Sequence, residues 1–130
     1  MNTKLTNCLF FVRLSVVLVL VMWTVDKLIN PAHGVRVYEG FYFIGGLGEQ
    51  VMMIIGAVEL VLILLFLVGR FKNITYLAVL LIHAVSTLSA YKYYLDAFTT
   101  PNLLFFAAWP MLAACYMLYV FREEDTKFNF

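Results

Sequence analysis

The sequence predicts an all-α integral membrane protein, a four-helix bundle with both termini in the cytoplasm. Composition is the first reason. Of 130 residues, 64% are hydrophobic and 13% are charged, and the mean hydropathy is +0.91. A soluble domain is nearer half apolar and a quarter charged. The second reason is four continuous apolar runs, each close to the roughly 20 residues that a helix needs to cross a bilayer. The third is that these runs do not alternate apolar and polar residues, as lipid-spanning β-strands do. Four runs in 130 residues make a single membrane domain with little chain left for a water-soluble one. The formal net charge is +1 and no Lys/Arg cluster forms a basic patch, so no nucleic-acid partner is expected.

The first span is expected over about residues 8–28, with Arg13 one and a half turns in. Lys4 precedes it as in a signal peptide. However, the run ends in Trp23-Thr24-Val25-Asp26-Lys27 without a small-residue cleavage site, which indicates a retained anchor. Residues 29–47, INPAHGVRVYEGFYFIGGL, form the only long link. The link is rich in glycine and aromatics and holds His33, Arg36 and Glu39. A loop of that length is expected to be functional or to fold back on the membrane, with Tyr38 to Ile44 in the interface.

The second span covers about residues 48–68, and Glu59 is the sole charge between Val51 and Val68. A tight turn, Gly69-Arg70-Phe71-Lys72-Asn73, leads to the third span, about 74–95, with His83 near its centre. Thr99-Thr100-Pro101-Asn102 breaks the chain before the fourth span, about 102–121. Trp109-Pro110 near the middle of that span predicts a kink. The tail from Arg122 to Phe130 is short and charged and is expected to be solvated. Lys4, Arg13, Arg70, Lys72, Arg122 and Lys127 fall on one side of this arrangement, against Lys27, Arg36 and Lys92 on the other. The excess marks the cytoplasmic side and places both termini there.

Glu59 is the leading candidate for function, because an ionisable group inside a span is costly and needs a partner. Spans two and three should pack antiparallel through their short turn. Glu59 precedes that turn by about ten residues and His83 follows it by about ten, so at 1.5 Å rise per residue they share a depth. A Glu59–His83 hydrogen bond is the expected pair. Thr87 joins His83 on one small, polar face together with Ser86 and Ala90. Arg13 is the other candidate partner, placed nearer the cytoplasmic surface, where it can snorkel outward. The plainer reading of Glu59 is structural: with a hydrogen-bond donor beside it the residue pins the bundle, and desolvation favours its protonated form.

A second polar group gathers at the outer face: Asp26 and Lys27 from span one, with Tyr91, Lys92, Tyr94 and Asp96 from span three. Asp26–Lys92 or Lys27–Asp96 pairs are expected there. The tyrosines either anchor the helix among headgroups or frame a mouth for a quinone or lipid headgroup.

No catalytic residue and no metal site is assigned. The only cysteines, Cys8 and Cys115, form no Cys-x-x-Cys motif and both fall towards the reducing side. A bis-histidine haem lacks its second intramembrane histidine, because His33 lies in the loop. The methionines are scattered and read as packing. No phosphate loop, nucleophile elbow or metalloprotease motif occurs.

Gly56-Ala57-Val58-Glu59-Leu60, followed by an apolar run and Gly69-Arg70, resembles the DoxX-like family of small four-helix membrane proteins. Arg13, Trp23, Lys27 and Pro31 add to the likeness, which covers about Arg13 to Phe121. The glycine-rich character of that family's first helix is missing, Asp26 has no counterpart in the pattern, and the aromatic loop is longer than in the shortest members. The resemblance implies membrane redox chemistry, often as a companion subunit. Relatives include subunits of a thiosulfate:quinone oxidoreductase and a methylamine-utilisation protein linked to disulfide maturation.

Three functions stay open. The first is a non-catalytic accessory or assembly subunit of a membrane redox complex, an oxidoreductase, an oxygenase or a quinone-linked system. The second is a quinone-interacting subunit with a direct role, with quinone as the one cofactor in view. The third is a small homo-oligomeric transporter or proton path. Membrane lipid, larger membrane subunits or further copies of this chain are the expected partners, in a bacterial inner membrane.

Overall fold

The computed structural model describes residues 3–100 and 102–129. Helices and turns account for all of the described residues that have regular structure, and no strand occurs among them. Helix α1 spans Thr3–Ile29, α2 Pro31–Phe41, α3 Glu49–Leu67, α4 Lys72–Ser89 and α5 Tyr91–Leu95. A 3₁₀ helix, Asn102–Ala107, then runs into α6, Ala108–Val120.

Local chemistry explains the boundaries. α1 contains neither glycine nor proline, and it stops where Pro31 disfavours the α conformation for Asn30 (φ −138°, ψ 63°). Pro31 then opens α2 at its first turn, where a missing N–H costs nothing. α3 ends on Gly69 at φ +73°. The Gly69 N–H donates to the Phe66 carbonyl (3.2 Å) and the Arg70 N–H to the Leu65 carbonyl (3.0 Å), the two bonds of a Schellman stop. Phe71 follows in the left-handed region at φ 52°, which turns the chain sharply into α4.

Among the described residues, three helices are long and apolar enough to cross a membrane: Thr3–Ile29, Glu49–Leu67 and the continuous stretch Asn102–Val120. Their most apolar windows are only 33, 22 and 11% buried within the chain, so their apolar side chains face outward, as lipid-facing surfaces must. Phe11, Leu18, Met22, Ile54, Val58 and Val61 are among these exposed residues.

The expected third span, about 74–95, differs. It divides into α4 and α5 at Ala90, and α4 is not among the three apolar helices. Lys72, Asn73, His83, Ser86 and Thr87 dilute its apolar character. The long loop expected over 29–47 is helical for most of its length, since α2 occupies Pro31–Phe41. Pro110 does not kink the middle of a helix. It stands in the first turn of α6, where the 3₁₀ helix gives way to α, so the donor it lacks is one the helix does not need. Pro101, the expected breaker, lies outside the described residues.

α1 lies against α3 and α6, and α4 closes the ring against the same two helices. The apolar core sits in the half nearer the α3–α4 turn, where Val16, Val17 and Leu20 meet Ile63, Phe66, Val79, Cys115 and Leu118. α2 crosses the far ends of α1 and α3. There Gly34 lets it approach Met52 closely, since a Cβ on Gly34 would stand 2.7 Å from Met52 Cγ.

The tail is not solvated as expected. It folds back over the α3–α4 turn, where a Cβ on Gly69 would collide with the Asn129 side chain. Asp125 is fully buried and 3.0 Å from the fully buried Arg13 guanidinium. Arg13 therefore does not snorkel outward. It donates to Tyr76 Oη (3.2 Å), Asn129 Oδ1 (2.9 Å) and the Lys127 carbonyl (2.5 Å), while Tyr76 Oη donates to Asp125 Oδ2 (2.5 Å). A guanidinium left in a dry interior needs such partners, and the returning tail brings them.

Candidate functional site: a cleft with one polar end

From the core residues Val16 and Leu20 towards α2, the six α-helices and the 3₁₀ helix leave an open cleft of about 1550 Å³. On α1 it is lined by Ser15, Val16, Val19, Leu20, Trp23, Thr24 and Lys27, a stripe with helical period, and by Asp26 beside it. The twelve rises of 1.5 Å from Ser15 to Lys27 give that stripe a length of about 18 Å. One end is apolar, formed by Val16, Val19 and Leu20 with Met111 and Ala114. The other end gathers Asp26, Lys27, Tyr38, Tyr42, Glu59, Ser86 and Tyr94 among apolar neighbours that include Phe41, Phe43 and Ile44.

Glu59 and Lys27 form the centre of the polar end. The Lys27 ammonium is 2.8 Å from Oε1 and 2.7 Å from Oε2 of Glu59, and the side chains are 17% and 19% exposed. Thr24 Oγ1 and Tyr38 Oη each donate to the same carboxylate at 3.4 Å. A carboxylate held by an ammonium and two hydroxyls is a charge-assisted arrangement. Burial, followed by the Glu59 charge and Tyr42, pushes the Tyr38 phenol above its ordinary 10.0, so it stays a donor. A small cavity of about 20 Å³ beside Glu59 and Thr24 has room for one water.

The expected Glu59–His83 hydrogen bond does not form. His83 Nε2 lies 2.9 Å from the Ala108 carbonyl, and its Nδ1 is buried without a hydrogen-bond partner. α1 comes between the two residues: Thr24 and Lys27 reach Glu59, while Trp23 stacks on the His83 ring at 6.1 Å and 24°. Gly56 permits this, because Leu28 and Lys27 press on α3 where its side chain would be. Both His83 and Glu59 still line the one cleft. Thr87 is buried and donates to the His83 carbonyl (2.8 Å), and Tyr94 Oη caps the Thr87 carbonyl (2.8 Å).

The expected outer cluster divides. Asp26, Lys27, Tyr91 and Tyr94 line the cleft. Lys92 lies over the Phe43 ring at 5.1 Å, and Asp96 Oδ1 accepts from Thr99 Oγ1 (2.8 Å). Neither Asp26–Lys92 nor Lys27–Asp96 pairs. Asp26 instead meets His33 of α2, with Oδ2 2.5 Å from Nδ1. The α2 helix is further fastened by the Tyr42–Ser86 hydroxyl pair (2.6 Å) and by Phe41 stacking on Tyr93 at 5.0 Å.

Among the described residues, no three His, Cys, Asp or Glu side chains come together as a metal site. Both cysteines are free, Cys8 exposed and Cys115 buried. Compared with protein-family models, curated proteins and solved structures, the chain finds no match.

Proposed function

We propose that this chain is a membrane protein whose four long helices all cross the bilayer, α4 included, and that it holds one single-chain amphiphile in its cleft. The observation that carries this is the polarity gradient along the cleft, with hydroxyls and an ion pair at one end and apolar side chains at the other. Binding sites are typically mostly apolar with a few convergent polar groups, and this one matches an amphiphile's division into head and tail. Both termini then lie in the cytoplasm of a bacterial inner membrane, by the charge distribution. The DoxX-like resemblance adds a quinone as the head chemistry of interest and a membrane redox complex as the setting.

The test is organic extraction of protein purified in mild detergent. We expect about one amphiphile per chain, lost when Val19→Trp fills the apolar end. Equal recovery from both forms would contradict a cleft site.

An accessory-subunit role without a ligand is the second reading. It is supported by Leu95 and Phe98, which are 85% and 90% exposed at the cleft end of the molecule. Stoichiometric recovery of a larger membrane enzyme by a tagged chain would favour it, and recovery of this chain alone would count against it.

A further inference from the structure

Resting on the cleft as an amphiphile site, we infer that its ligand has an uncharged, hydroxyl-bearing head and that His83 Nδ1 accepts the hydroxyl's hydrogen bond. Charge is the first ground. Among the described residues, the basic side chains lining the cleft besides His83 are Lys27 and His33, and each already lies on a carboxylate, Glu59 or Asp26. A phosphate or carboxylate head would meet two acidic residues and no uncommitted cation, which discriminates against it.

The second ground is the His83 ring. Nε2 faces a carbonyl, which only accepts, so Nε2 carries the proton. Nδ1 of the neutral ring is then a lone pair, buried and unpartnered in a residue 1% exposed. Leaving such an acceptor unmet is unfavourable, and a ligand hydroxyl removes that cost. Trp23 stacks on the ring, lines the same cleft and is itself 48% exposed, so its fluorescence reports occupancy. The tail then lies along the stripe from Leu20 to Ser15.

Two sources share this chemistry, a long-chain quinol and a monoacylglycerol. The experiment uses full-length protein carrying Trp109→Phe, so that Trp23 is the only tryptophan. It is titrated in detergent with a long-chain quinol and with three chain-brominated probes: a monoacylglycerol, its methyl ether with both free hydroxyls methylated, and a fatty acid. We expect saturable quenching by the quinol, the monoacylglycerol or both, which identifies the source. The methyl ether and the fatty acid should bind about tenfold more weakly, as the loss of one such bond predicts.

His83→Phe keeps a flat ring for Trp23 to stack on and removes the Nδ1 acceptor together with the donor to Ala108. That variant should lose the preference for the hydroxyl over the ether. The ether comparison on unmodified His83 stands even if the variant does not fold. Saturable quenching that is equal for all probes would overturn the head assignment and leave the cleft intact. Absence of saturable quenching by any probe would overturn the cleft itself.

Discussion

Lys27, in the last turn of α1, places its ammonium within 2.8 Å of both carboxylate oxygens of Glu59, halfway along α3. The pair ties α1 to α3, beside the longer Thr24–Glu59 hydrogen bond. It also gives the cleft its polar end. A cation in a helix's last turn is favoured by the helix dipole, and here it carries a second task.

Removing one partner should cost far more than removing both. Lys27→Met leaves the Glu59 carboxylate with only hydroxyl donors in a partly buried site, and we expect a loss of about 2–4 kcal/mol. The double variant Lys27→Met/Glu59→Leu should recover at least half of that loss. Reversible unfolding in mixed micelles checks the cycle. A double variant as unstable as the sum of the two single ones would show that the residues do not act as a pair.

The Arg13–Asp125 contact is the more deeply buried of the two, with neither side chain exposed. Asp125→Asn should destabilise the chain by about 3–5 kcal/mol, because the guanidinium then stays buried beside a neutral group. Deletion of residues 122–130 should be at least as severe. Unchanged unfolding of the truncated chain would mean that the tail does not serve as a structural strap.

Gly56→Ala tests the α1–α3 approach directly. The added Cβ would stand 3.0 Å from Leu28 Cδ2 and 3.3 Å from Lys27 Cβ. Crowding of that kind costs about 1–3 kcal/mol, and it should also weaken ligand binding by displacing Lys27. Gly40→Ala serves as the control, since nothing lies within 4 Å of its Cβ position. Equal stability of the two variants would argue against close packing at Gly56.

Cysteine accessibility separates the two thiols. Cys8 should react with a maleimide in the folded protein, whereas Cys115, 1% exposed in the core, should react only after unfolding. In intact cells, a membrane-impermeant maleimide should not reach Cys8 if the N-terminus is cytoplasmic. Labelling of Cys8 from outside would reverse the orientation.

The apolar runs made α1, α3 and the stretch leading into α6 legible, because hydropathy over about 20 residues is a strong signal. Glu59, Lys27 and Thr87 were also legible as unusual groups in such runs. Their partners were not. The turn between α3 and α4 made His83 look like the neighbour of Glu59, but α1 supplies Thr24 and Lys27 instead. A short loop says which helices are adjacent in sequence, whereas side-chain partners depend on helix rotation and on small residues such as Gly56. Tyr38 and Tyr42 escaped attention as site residues, although their four-residue spacing places them on one face of α2. Asp125 carried no signal at all: one acid in a charged tail looks solvated until Arg13 is known to need it.

The cleft is tested most directly by photo-crosslinking with a single-chain, hydroxyl-headed amphiphile bearing a diazirine in its tail, followed by peptide mapping. The predicted result is saturable labelling concentrated on Val19, Leu20, Met111 and Ala114, displaced by the unlabelled amphiphile. Labelling spread over the outward residues Phe11, Leu18, Val58 and Val61, with no displacement, would show that lipid merely surrounds this protein and that the cleft holds no ligand.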